Sequence, residues 1–320
     1  MCQVAFVVAF DPGRASRHIT RMSAPDVPHL FDRALLRRRL ARAALQGAAG
    51  ADFLLARAAF DLAERLGAIL RPFDRALDLA TPGGHFAGAL QKHGCAQTLR
   101  AGWAESGARR DLVCDEEALP FAPASFDLIV SGLALQTVND LPGALTQIGR
   151  ALKPDGLFLA AMLGGRTLQE LRAAFAQAES DLTGGASPRV APFADLRDLG
   201  GLLQRAGFAL PVTDIDTVTV RYADMFALMR DLRAMGATNP LVERSRKPLA
   251  RAVLLRAAAV YAEQFADADG RLRATFDIVW LSGWAPHASQ QKPLKPGSAR
   301  ARLADALGAA EIAAGEKAGA

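Results

Sequence analysis

The chain has 320 residues, 38 Lys plus Arg against 33 Asp plus Glu, a formal net charge of +5 and a hydrophobic fraction of 51%. That composition excludes a disordered or collagen-like chain, and no apolar run reaches the roughly 18–20 residues that cross a bilayer. Three cysteines, Cys2, Cys95 and Cys114, are too few for a disulfide scaffold and too scattered for structural zinc, which implies a reducing, cytoplasmic setting.

Residues 3–10 (QVAFVVAF) are apolar, but no basic region precedes them and no small-residue cleavage site follows. Residues 1–21 therefore read as a flexible leader or a misassigned start. Residues 22–72 form an N-terminal helical region, in which Phe53, Leu54, Ala58, Leu62, Leu66 and Ile69 recur at helical spacings until Pro72 ends the pattern. The basic run Arg33, Arg37, Arg38, Arg39 and Arg42 is spread around a helix and reads as a solvated face. Basicity this modest and this arginine-dominated makes no case for nucleic acid.

The alternation then becomes strand-like. Ala76 to Ala80 is a short buried strand, followed by the turn Thr81-Pro82-Gly83-Gly84 and a helix from His85 to His93. Cys95 to Leu99 and Asp111 to Cys114 are the next strand candidates, and Phe126 to Ser131 is the clearest strand in the chain. A helix carries Leu141, Leu145, Ile148 and Leu152 on one face, Lys153-Pro154-Asp155-Gly156 breaks it, and Leu157 to Leu163 is again a strand. Strands and helices alternating in this way imply βαβ crossovers and an α/β, doubly wound, mostly parallel sheet. Further on, helices are expected over 167–182, 193–206, 223–235 and 248–265, and strands over 212–221 and 274–284. Met225, Met229 and Met235 read as core, and residues 286–320 as a mobile tail with a short helix at 299–312.

In an open α/β sheet, ligands bind beyond the carboxyl ends of the strands. The candidate site is thus Asp78, Ala80, Gly83 and Gly84 at the first turn, Asp115 and Glu116 after the third strand, and Ser131 and Gln136 after the fourth. Glycines let a ligand approach the backbone, and a helix start offers free N–H groups to a negative group. Each residue also has a plainer reading. Asp78 could cap its own turn, Asp115 and Glu116 could be a solvated loop, and His85 a partnerless surface residue. Cys95 and Cys114 read as small buried hydrophobes.

The order of these turns resembles the class I S-adenosylmethionine-dependent methyltransferases. The segment from DEEALPFAPASFDLIVSGL through MLGGRTLQELR (115–172) narrows the resemblance to the methyltransferase-like assembly factor of respiratory complex I, a family with alphaproteobacterial and mitochondrial members. Similarity continues through SPRVAPFADLRDLGGLLQRAGF (187–208), YADMFALMRDLRAMGATN (222–239) and ATFDIVWLSGW (274–284), and takes in FDRALLRRR near the start, so it covers about 28–300. It implies a seven-stranded methyltransferase sheet over 73–285, N-terminal helices before it, and a helical insert at about 222–270.

The resemblance also implies S-adenosylmethionine. Asp78, Gly83 and Gly84 match the turn that holds its methionyl part, and Asp115 with Glu116 match the acid that reaches its adenine. The sequence departs from the pattern at Ala80 and Pro82, where glycines are expected, and at Gly102, where the ribose acid is expected and only Glu105 stands nearby. Gln136-Thr137 replaces a His-Trp pair. Two functions follow from the resemblance. One is a methyltransferase for a protein or small-molecule acceptor, linked to complex I assembly, with a complex I subunit as partner and room for peripheral contact with the bacterial inner membrane. The other is a non-catalytic assembly chaperone with a degraded cofactor site. Protein arginine hydroxylation is associated with the family too, yet the five histidines form no facial-triad pattern for iron. A methyltransferase of biotin synthesis shares the core, but MLGGRTLQELR fits the assembly factors better.

Overall fold

Every residue of the strand β4 (Phe126–Gly132) is buried, as a parallel strand must be when helices cover both faces of its sheet. The structure is a computed structural model and describes residues 29–47, 50–104, 109–291, 298, 305, 308 and 309. The leader expected over 1–21, Glu105 and most of the expected tail lie outside these residues. Around β4 run β1 (Arg75–Leu79), β2 (Gln97–Gly102), β3 (Leu112–Val113), β5 (Leu152–Gly164), β6 (Ala209–Tyr222) and β7 (Leu272–Trp284). They form one seven-stranded sheet in the order β3-β2-β1-β4-β5-β7-β6. The pairings from β3 to β5 are parallel, and β7 inserts antiparallel between β5 and β6. The expected doubly wound, mostly parallel α/β sheet is thus present.

The pleat divides the core. Leu77, Leu79, Ile129 and Phe158 point to one face, which α4 (Leu141–Ala151) and α6 (Leu196–Arg205) cover. Ala76, Leu128, Val130 and Trp280 point to the other. There they meet α2 (Phe53–Gly67), α3 (His85–His93), α5 (Gln169–Thr183), α7 (Met225–Ala234) and α8 (Arg251–Phe265). Both α7 and α8 lie in the chain between the last two strands.

The N-terminal helical pattern resolves into α1 (Arg33–Gln46) and α2. Asp32 caps α1 by accepting from Leu35 N at 2.9 Å, and Gly47 ends it in the left-handed region. Asp32 N donates to Pro240 O at 2.8 Å and Phe31 N to Asn139 Oδ1 at 2.8 Å, which fastens α1 over the sheet edge. Lys153 to Gly156 do end α4, but they are already the first residues of β5 and not a separate turn. No helix among the described residues is long and apolar enough to cross a membrane.

Candidate functional site

Three turns meet at the carboxyl edge of the sheet, and the first is unusually tight. Ala80, where a glycine is expected, adopts a left-handed φ of 60°. Its N–H donates to Ala101 O at 2.7 Å, drawing the ends of β1 and β2 together. A Cβ on Gly102 would stand 2.8 Å from Ala80 Cα, and Gly102 has φ +149°. The position of the expected ribose acid therefore has no room for any side chain. Sterics, and not only drift in sequence, remove that carboxylate.

Parallel register sets Asp78 beside Arg100. Asp78 is fully buried, and Arg100 Nε lies 3.3 Å from its Oδ2. The same guanidinium donates to Gly83 O, and Arg110 donates to Thr81 O at 2.8 Å, so two arginines occupy the first turn. Burial pushes the Asp78 carboxyl up, against the opposing pull of Thr81, Arg100 and Arg110. Thr81 Oγ1 in turn accepts from Gly132 N at 2.9 Å, stitching this turn to the end of β4.

The acids after β3 meet α1. Arg33 pairs with Asp115 at 2.7 Å, with Glu116 at 2.8 Å and also with Glu117, and Arg37 pairs with Asp115 at 2.8 Å. Both guanidinium groups stack on Trp103, at 4.6 and 4.5 Å from the ring centroid. The solvated basic face expected for this helix is therefore wrong for Arg33 and Arg37, since that side of α1 closes the site. Burial pushes the Glu116 carboxyl up, and Arg33 opposes it. Glu116 Oε1 faces Arg33, whereas Oε2 is buried with no hydrogen-bond partner among the described residues. Gln136 repeats this pattern after β4, with Nε2 donating to Leu133 O at 2.7 Å and Oε1 buried without a partner among the described residues.

A cavity of about 380 Å³ opens from this edge. Of the residues singled out from sequence, Ala80, Glu116 and Gln136 line it. Asp78, Gly83, Gly84, Asp115 and Ser131 gather at the same edge but do not reach the cavity. Ser131 is fully buried in β4, and Gly84 is the residue that starts α3. His85 is not partnerless, because its Nε2 lies 2.8 Å from Asp52 Oδ2. Met225 is buried in the core as expected, and Met229 and Met235 pack against that core while also lining the cavity. Burial and the neighbouring acids push the Cys114 thiol up to about 11, which suits a packing role. Sequence reasoning missed Trp103, Arg33 and Arg37. The one available signal was the four-residue spacing of the two arginines, which sets them on one helix face.

A seven-stranded sheet in this order, with its cavity at the carboxyl edge, defines a class I methyltransferase fold. A family model described as "Methyltransferase domain" matches residues 52–211, half of the chain. The YcgJ protein from Bacillus subtilis shares the fold with a TM-score of 0.50 at 15% identity, over 72% of this chain and 99% of that one. Arginine-hydroxylase NDUFAF5, mitochondrial, of Danio rerio is 40% identical over 287 residues, covering 87% of this chain and 89% of that protein. The Homo sapiens protein of the same name is 41% identical over 287 residues, covering 87% and 83%. The chain belongs to this family, the methyltransferase-like complex I assembly factors that its motifs resemble. Malonyl-[acyl-carrier protein] O-methyltransferase of Methylovorus sp. (strain MP688) is 42% identical over 186 residues, covering 58% of this chain and 60% of that protein.

Proposed function

We propose that the protein is an S-adenosylmethionine-binding, methyltransferase-fold assembly factor of respiratory complex I that acts on a side chain of a complex I subunit. The observation that carries this reading is the pair Glu116 Oε2 and Gln136 Oε1, buried at the cavity wall and unpartnered among the described residues. A buried acceptor without a donor costs about 1–3 kcal/mol, which favours a guest that brings one. An adenine amine or a methionyl ammonium would do so. The residues therefore fit the adenosyl half of the cofactor well. They fit its methionyl half less closely, because Pro82 lacks an N–H and Arg100 holds the Gly83 carbonyl.

When bound, S-adenosylmethionine supplies an electrophilic methyl group. The chain's own contribution would be to orient and to keep dry. Glu116 and Gln136 fix the nucleoside end, α1 covers it through Arg33 and Arg37, and the apolar walls around Leu171, Phe175 and Leu232 exclude water from the acceptor. Alignment in a dry site provides most of what methyl transfer needs. The relatives' name makes protein arginine hydroxylation the other product to look for. We place this work in the cytoplasm, with peripheral contact at the inner membrane where complex I is assembled.

A second reading keeps the partner and drops the chemistry, favoured by the two arginines seated in the first turn. Deletion in the native host and complementation separates the two. If the cofactor is needed, the wild-type chain restores complex I and Glu116→Ala does not, at equal protein level. Full rescue by Glu116→Ala would leave the chaperone reading standing.

A further inference from the structure

The cavity continues from the strand edge into a chamber with apolar walls and a basic end. Leu171 and Phe175 of α5 and Leu232 of α7 form walls, while Arg39, Arg233 and Arg244 line the other end. Arg244 is paired with Asp32 at 3.1 Å. Among the described residues, neither Arg39 nor Arg233 has a carboxylate within ion-pair range. Arg39 donates to Thr238 O at 2.8 Å and to Asn239 O. Those carbonyls orient its guanidinium without neutralising it. Burial and the nearby charge of Arg244 push the Arg39 pKa down, against the opposing pull of the Asp32 carboxylate, which lies beyond ion-pair range.

Arg39 is half-buried and Arg233 exposed at the rim, so two guanidinium groups without an ion pair among the described residues stand where the apolar walls end, and the planar guanidinium fork matches a carboxylate. We propose that this chamber binds an aliphatic chain ending in a carboxylate, with the chain against α5 and α7 and the carboxylate at Arg39 and Arg233. At about 380 Å³ the cavity lies within the roughly 300–1,000 Å³ range of small-molecule sites. A guanidinium guest would meet like charge at the same end, so a basic side chain would have to stop short of it. The inference concerns the acceptor side of the cavity, and it can fail or hold whether or not S-adenosylmethionine binds.

Calorimetric titration of the full chain with decanoate, decanol and decyltrimethylammonium, below their micelle concentrations and without cofactor, tests it. Decanoate is expected to bind, decanol about tenfold more weakly, and the ammonium not at all. Arg233→Gln, at an exposed residue whose side chain makes no hydrogen bond or ion pair among the described residues, is expected to weaken decanoate about tenfold and leave decanol unchanged. Arg39→Gln should do the same, and Arg233→Gln keeps the test open should loss of the Arg39 clamp disturb folding. Equal affinity for all three head groups, or unchanged decanoate affinity in Arg233→Gln, would overturn the proposal.

Discussion

At Gly102 the backbone runs at φ +149° with Ala80 Cα 2.8 Å from where a Cβ would stand, so glycine is needed for strain and for space together. Gly102→Asp, which writes back the acid expected there, is predicted to lower unfolding free energy by about 2 kcal/mol in urea titrations and to gain no cofactor affinity. Asp78 makes a different case. Burial holds its carboxyl above the ordinary 3.8, so the folded state binds its proton more tightly than the unfolded state does. Its contribution is therefore full below the unfolded pKa and declines as pH rises through the folded value. Asp78→Asn should flatten this decline, seen as a gain in melting temperature relative to wild type that grows from about pH 4 upward. A constant difference across that range would mean that Asp78 is ionised in the fold throughout.

Among the elements, α1 carries more than its sequence suggests. Arg33 is 12% exposed and Glu116 4%, so their ion pair is largely screened from water. Removing one partner of such a pair leaves the other charge uncompensated. Arg33→Met is predicted to cost about 3 kcal/mol in urea unfolding and to speed hydrogen exchange through residues 112–119. The edge strand β6 gives a useful contrast. Arg57 reaches Asp216 at 2.7 Å and Arg65 reaches Asp214 at 2.8 Å, but these pairs are open to solvent. Arg57→Ala should change stability by no more than about 1 kcal/mol and lose even that in high salt.

The sheet was legible before any coordinates, because the Phe126–Ser131 run around Leu128, Ile129 and Val130 and a breaker such as Pro72 are local signals. The role of α1 was not legible. Arg33 and Asp115 are 82 positions apart, and nothing in a run of arginines tells which of them face acids. The candidate site was legible to the level of its edge. Asp78, Glu116 and Gln136 do come together there, but only Glu116 and Gln136 line the cavity, a difference that long-range packing sets and local pattern does not show.

For the molecule as a whole, the sheet edge, α1 and the α7 region enclose one continuous cavity, with two acceptor oxygens that have no partner among the described residues at one end and Arg39, Arg233 and Arg244 at the other. A nucleoside at the first end and an acceptor at the second would share it. The central claim is that the first end takes S-adenosylmethionine despite Ala80, Pro82 and the missing acid at Gly102. Calorimetric titration of the purified full chain with S-adenosylmethionine and its demethylated product measures that directly. The account predicts saturable binding of both in the micromolar range, lost in Glu116→Ala and weakened in Gln136→Ala, with folding intact. No heat from either ligand at millimolar concentration, or unchanged affinity in Glu116→Ala, would contradict it.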